Sequence, residues 1–171
     1  YILKPVDTEA ADSLIKKLAE HLHSKQLNVN LELLDNLKTN PSKALDRLNK
    51  LGLTEDTFPL YAVWLEFNTT NYSMILERVR KESKVFLDLG LGRILCFVTA
   101  EKIPVFFALQ PHSEMGPVSL AGLSSAGDTL EVIPRLVNEA LLAAGSNFTS
   151  ATQKIFNYSP PRFHLTKPLL Q

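Results

Sequence analysis

The chain has 171 residues, and its 18 basic and 18 acidic side chains give a formal net charge of zero. A chain of this length buries roughly 70% of the surface that it exposes when unfolded, so its core needs no disulfide or metal. Zero net charge argues against a protein that binds nucleic acid or acidic membranes mainly through electrostatics. The single cysteine, Cys96, favours a reducing compartment, and we expect a soluble, cytoplasmic protein. Because the first residue is Tyr1 and not Met, we interpret the chain as part of a larger protein.

Leucines at helical spacing dominate the N-terminal third of the chain. Residues 7–52 predict three helices, of which the second is short and covers 30–38. The third helix begins at Asn40, a residue that caps helices well, and ends at Gly52. We therefore predict a helical lobe over residues 1–57. The first helix has an apolar stripe formed by Leu14, Ile15, Leu18 and Leu22.

Apolar residues alternate with other residues over 61–67, which predicts a strand with one buried face. A helix is predicted over 71–82 and a second strand over 84–89. Trp64 lies on the face of the first strand that is opposite the alternating apolar residues. Two roles follow for Trp64: it packs under a helix, or it is exposed and anchors a partner.

Residues 93–111 are the most hydrophobic stretch of the chain. A membrane-spanning helix needs about 20 consecutive apolar residues, and Glu101 and Lys102 interrupt this stretch. Each half is rich in valine, isoleucine and phenylalanine, which suit strands. We therefore predict a buried hairpin that turns at 100–102 and no membrane span.

A loop over 111–127 precedes a helix that Asp128 opens, with Glu131 completing a capping box. The predicted fold is α+β: an N-terminal helical segment, then a mostly antiparallel sheet of about four strands, in the order β-α-β-β-β-α, packed against helices. The sheet lobe covers 58–145 and an extended C-terminal tail covers 146–171; all three segments can also form one domain.

The residue pattern supports neither nucleic-acid nor metal binding. Residues 71–144 have the α-β-β-β-α order of double-stranded-RNA-binding domains, which hold phosphates with lysines at the start of the second helix. Here Asp128 and Glu131 occupy that start. One cysteine and four scattered histidines do not supply the spacing of a three-ligand metal site. We therefore expect no nucleic acid, metal or cofactor.

The main functional hypothesis is a non-catalytic protein–protein interaction domain: an adaptor, a chaperone-like protein or a subunit of a complex. After paired prolines, the tail carries apolar residues without a regular period, which suits docking onto a partner. Besides Trp64, the candidate partner-binding residues are Phe163, Leu165 and Leu169. The oligomeric state is left open.

Two alternatives place a site in the 111–128 loop. In the first, a small molecule or an anion binds to His112, Ser124 and Ser125. In the second, the chain is a small hydrolase, because the "GLSSAG" sequence at 122–127 nearly matches the G-x-S-x-G nucleophile elbow. The predicted strand before this serine is short for an elbow.

Overall fold

A computed structural model describes residues 8–67, 72–107, 118–145 and 155–158. Its helices and strands, in chain order, are α1 (Thr8–Thr39), α2 (Pro41–Lys50), β1 (Tyr61–Phe67), α3 (Tyr72–Glu82), β2 (Val85–Asp88), β3 (Arg93–Val98), α4 (Ile103–Phe107), β4 (Val118–Leu123), α5 (Ile133–Gly145) and β5 (Ile155–Asn157). Short 3₁₀ turns lie at Glu55–Thr57, Ala100–Lys102 and Leu130–Val132. The predicted α+β fold, with helices before the sheet, is confirmed.

The strands of the described residues form a five-stranded sheet in the order β2-β3-β1-β4-β5. β1 lies at its centre and pairs antiparallel with β3 and with β4, and β2 pairs antiparallel with β3. β5, from the segment predicted as a tail, adds a parallel edge beside β4. The sheet is therefore mostly antiparallel, as predicted, with one strand more than expected.

Both faces of the sheet are buried. On one face, Leu33 of α1 and Leu48 of α2 pack in the same core cluster as Phe97 of β3, and α5 covers the rest of that face. On the other face, Ile75 of α3 and Phe106 of α4 pack over the alternating apolar residues of β1. A domain boundary between residues 57 and 58 stays a prediction. Among the described residues, no helix has the length and apolarity needed to cross a bilayer.

The N-terminal helices differ from the prediction in one respect. α1 is one continuous helix of 32 residues, so a separate helix over 30–38 is wrong. The start of α2 is as predicted: the Asn40 side chain accepts a hydrogen bond from the Lys43 backbone N–H, and Pro41 occupies the first turn. A helix start has this local signature, and the second half of α1 packs against β2 and α2.

The predicted hairpin over 93–110 is also wrong in its second half. β3 ends at Val98, a 3₁₀ turn covers the charged residues 100–102, and α4 follows. Pro104 stands in the first turn of α4, where the missing N–H would have no helical partner and the ring's fixed φ suits a helix. The next strand is β4, at 118–123, so the observed order is β-α-β-β-α-β-α.

The helix predicted to open at Asp128 begins later. A 3₁₀ turn covers 130–132 and α5 starts at Ile133, so the capping box is wrong. Thr129, which precedes the turn, makes no side-chain cap. The Leu130 N–H instead donates to the carboxylate of Glu55 at 3.4 Å, a partner 75 residues away in the sequence.

Candidate functional site

Ser124 lies at the end of β4 and is buried. Its hydroxyl oxygen accepts a hydrogen bond from the Ala62 N–H at 2.9 Å, and the hydroxyl donates to the Ser125 carbonyl at 2.7 Å. The Ser124 N–H also donates to the Ala62 carbonyl at 3.0 Å. Ser124 therefore extends the pairing between β1 and β4 beyond the end of β4.

Ser125 is bonded to a buried carboxylate on α5. Its N–H and its hydroxyl donate to one oxygen of Glu139, at 2.9 Å and 2.6 Å. The other oxygen of Glu139 accepts a hydrogen bond from Arg135 at 2.9 Å, and the same guanidinium nitrogen lies 3.2 Å from the Ser125 hydroxyl oxygen. Glu139 is 5% exposed, and buried carboxylates need such partners. Together these groups join the end of β4 to α5.

The two chemistries predicted for this serine cluster, ligand binding and hydrolysis, stay predictions, and its hydroxyls bond within the protein. The Ser125 hydroxyl already donates to Glu139, and Arg135 balances the charge of this carboxylate. A nucleophile elbow needs a helix directly after the serine, but α5 starts only at Ile133. His112, the third predicted ligand, lies outside the described residues. Sequence reasoning missed Glu139 and Arg135, although a carboxylate within the apolar stripe of α5 was a signal.

Trp64 lies within the core. It is 6% exposed, packs in the cluster beneath α1, α2 and α5, and donates its indole N–H to Glu66 at 3.0 Å. This placement corresponds to the packing role and leaves little ring surface for a partner. Phe163, Leu165 and Leu169, the predicted partner-binding residues of the tail, lie outside the described residues.

The described residues contain no group of three or more histidine, cysteine, aspartate or glutamate side chains that could hold a metal ion. Cys96 is buried in the centre of β3, where its thiol lies 3.7 Å from the Val63 carbonyl oxygen. Burial raises the pKa of the Cys96 thiol well above its ordinary value. The reactive thiolate is therefore suppressed in the folded protein.

We expect Cys96 to report global unfolding. Alkylation of the native protein by iodoacetamide at pH 8 should be about a thousandfold or more slower than alkylation of the urea-unfolded chain. A domain stable by about 5 kcal/mol exposes a core thiol in only about one molecule in several thousand. Mass spectrometry over a time course measures both rates. Comparable rates in the two states would contradict the burial of Cys96.

A polar junction fixes the C-terminal half of α1 to the sheet. The buried amide of Asn30 donates to the Asp88 carbonyl at 2.8 Å and accepts from Gln26 at 2.9 Å. The Asp88 carboxylate accepts hydrogen bonds from the Tyr72 hydroxyl and the Gly90 N–H. Burial, and then the contact with Asp88, raise the pKa of Tyr72. This junction lies near the middle of α1.

The part of α1 that precedes this junction exposes one apolar face. Every residue from 12 to 26 is exposed. The residues of the face recur at spacings of three and four, so they lie side by side on the helix. Leu14 is 70% exposed, Ile15 65%, Leu18 58% and Leu22 56%. We call these four residues the α1 stripe.

The charges around the α1 stripe balance. Residues 8–26 form about 28 Å of helix at 1.5 Å per residue. Three lysines in this segment are matched by three acidic residues, and the stripe itself is uncharged. The charged residues are Lys16, Lys17, Lys25, Glu9, Asp12 and Glu20.

The chain matches no protein-family model, no curated protein and no solved structure. The functional argument therefore depends on the contacts and exposed surfaces of the described residues.

Proposed function

We propose that the chain is a non-catalytic protein–protein interaction domain that binds its partner through the α1 stripe. The observation that carries this proposal is that four large aliphatic side chains on one helix face are each more than half exposed. Contiguous exposed apolar surface of this kind is typical of interaction sites. An adaptor, a chaperone-like protein and a subunit of a complex would each use such a surface.

The free energy available at the α1 stripe suits reversible binding. Fully burying an aliphatic side chain contributes about 1.5–3 kcal/mol, so four side chains at these exposures offer on the order of 4–7 kcal/mol. The exposed half of α1 is continuous with residues 27–39, which pack on the domain. Because the first helical turns are already formed there, the exposed half does not have to nucleate a helix. A partner therefore meets a preformed surface, and the ordering cost of binding is low.

The balanced charges favour a protein partner over an anionic membrane or a nucleic acid. Helices that lie on anionic membranes carry an excess of lysine and arginine on their polar face, and nucleic-acid sites carry basic patches. The exposed half of α1 has three acidic residues against three lysines. Its attraction for a partner is thus mainly apolar.

The small-molecule alternative has less support. The hydroxyls of Ser124 and Ser125 already bond to groups of the protein, the Ser125 carbonyl and the Glu139 side chain. A ligand there would have to displace these intramolecular bonds, at a cost of about 1–3 kcal/mol for each polar group left unsatisfied.

Site-specific photo-crosslinking tests the proposed function. We expect a photoreactive benzoylphenylalanine at Leu18 of the full chain to give discrete crosslinked protein products in cells. The matched control places the same amino acid at Glu20, which lies roughly 200° around the helix from Leu18. Glu20 should give far less product because it faces away from the stripe. Equal yields at both positions, or no product from either, would contradict docking at the stripe.

A further inference from the structure

We infer that the partner of the α1 stripe is the same stripe of a second copy of this chain, with the two α1 helices packed antiparallel. This inference rests on the proposed function and names the occupant of its surface. Three features of α1 support it: the symmetry of its apolar residues, the length of its exposed segment and the position of Lys25.

Four apolar residues in the N-terminal half of α1, Ala11, Ile15, Leu18 and Leu22, are symmetric about the point between residues 16 and 17. In an antiparallel pair centred there, the two residue numbers in each contact sum to 33. Ala11 then meets Leu22, and Ile15 meets Leu18, each pair occurring twice because a two-fold interface repeats every contact. Leu14 flanks these contacts at the edge of the stripe. These four contacts are apolar, and Lys25 lies level with residue 8 of the other copy at each end of the overlap.

The central charges do not interrupt this pairing. Lys16 and Lys17 stand nearest to the symmetry axis in sequence. At 100° per residue they lie about 120°–140° around the helix from the middle of the stripe. Both are exposed and remain in solvent in the paired arrangement.

The length of the exposed helix matches this register. In this register, residue 25 lies beside residue 8 of the partner helix, which is the first residue of α1. The overlap therefore ends just before Gln26, whose amide joins the junction with the sheet. The two domains lie at opposite ends of a helix pair of about 27 Å, so their bodies do not collide.

Lys25 selects the antiparallel orientation. It lies on the same side of α1 as Leu18 and is exposed. A parallel pair would place Lys25 against Lys25 of the other copy, and two ammonium groups there repel. The antiparallel pair separates these two lysines by almost the whole length of the overlap.

Sedimentation equilibrium of the purified full chain tests self-association. The interface is small, so we expect reversible dimerisation with a dissociation constant on the order of 10 μM. Leu18→Glu should weaken dimerisation at least about a hundredfold, since it buries two carboxylates within the interface. Leu91→Glu is the matched control: Leu91 is 86% exposed on the β2–β3 turn, and this variant should dimerise like the parent chain.

Disulfide trapping tests the orientation. Ala11→Cys and Leu22→Cys are prepared as separate full-length proteins, with the buried Cys96 retained. Under mild oxidation, an equimolar mixture should crosslink about tenfold or more faster than either protein alone, because only the antiparallel register places residue 11 beside residue 22. Rapid crosslinking of Leu22→Cys by itself would indicate a parallel pair and overturn the inference.

The two proposals fail in different ways. If the chain remains monomeric up to about 100 μM while Leu18 crosslinks a different protein, self-pairing is overturned and the docking function stands. Crosslinking of Leu18 to a segment of its own chain overturns both. A concentration-dependent dimer that Leu18→Glu abolishes and Leu91→Glu preserves supports both.

Discussion

Replacing Gly122 with alanine should lower the free energy of unfolding by about 4 kcal/mol, above the 1–3 kcal/mol typical of an overpacked core. Gly122 lies where β4 touches α5. A Cβ atom at this position would be 2.1 Å from the Ala140 carbonyl oxygen and 2.5 Å from the Ala144 backbone nitrogen. Because both are backbone atoms, no side chain can rotate to make room. The strand and the helix must therefore move apart, which weakens the packing of α5 on the sheet.

Urea unfolding followed by the fluorescence of Trp64 measures this effect. Trp64 is the only tryptophan in the chain and lies in the core, so its emission reports loss of the fold. Gly145→Ala is the matched control at the end of α5, where an added Cβ has no atom within 4 Å. It should change the free energy of unfolding by less than about 0.5 kcal/mol. Equal effects of the two substitutions would mean that β4 and α5 are not in close contact.

Replacing Glu139 with alanine should lower the free energy of unfolding by about 3 kcal/mol, as expected when one partner of a buried polar network is removed. Glu139 accepts three hydrogen bonds, two from Ser125 and one from Arg135. Truncation leaves the Ser125 N–H and hydroxyl without their acceptor in a partly buried place. Arg135 is about half exposed, and its guanidinium can turn to solvent. Its lost hydrogen bond therefore contributes little to the decrease in the free energy of unfolding.

The same urea titration measures the Glu139 variant. Asn138→Ala, at the neighbouring exposed position of α5, is its control and should change stability by less than about 0.5 kcal/mol. Glu139→Gln keeps a side-chain acceptor, so its free energy of unfolding should lie between those of Glu139→Ala and Asn138→Ala. If Glu139→Ala proved as stable as Asn138→Ala, the carboxylate would not contribute to the joint between β4 and α5.

Gly122→Ala and Glu139→Ala should lower stability, whereas substitutions in the α1 stripe should lower partner binding. Gly122 and Glu139 act where β4 meets α5, whereas the α1 stripe lies on the exposed N-terminal half of α1. At protein concentrations well below about 10 μM, where the chain is monomeric, a stripe substitution such as Leu18→Glu should therefore leave the urea midpoint nearly unchanged. Its side chain is already mostly in water, so folding gains little from it.

Local patterns predicted the elements that depend on near neighbours in the sequence. The Asn40 cap, the strand over 61–67 and the helix after β1 are confirmed because caps and periodicity act within a few residues. The single buried face predicted for that strand is wrong, because β1 lies at the centre of the sheet and is covered on both faces. The errors arose where distant contacts compete with these patterns. The apolar run after Lys102 suits a strand, yet it forms α4 and packs on the face of the sheet made by β1.

The candidate serine cluster shows the same division. A loop rich in serine before a helix was visible in the sequence, and Ser124 and Ser125 do lie together. Their partners come from β1 and α5, so only the tertiary structure assigns the hydroxyls to bonds with Ala62 and Glu139. A hydroxyl that looks available in a sequence is thereby occupied within the fold.

The sequence by itself determined that α1 is amphipathic, because leucine spacing is a property of the helix alone. It did not determine which leucines are covered. Leu33 and Leu37 are 1% and 2% exposed, whereas Leu14 and Leu18, of the same residue type in the same helix, lie mostly in water. Burial depends on what lies beside the helix, and the sheet and α2 lie beside its second half while the stripe extends past them.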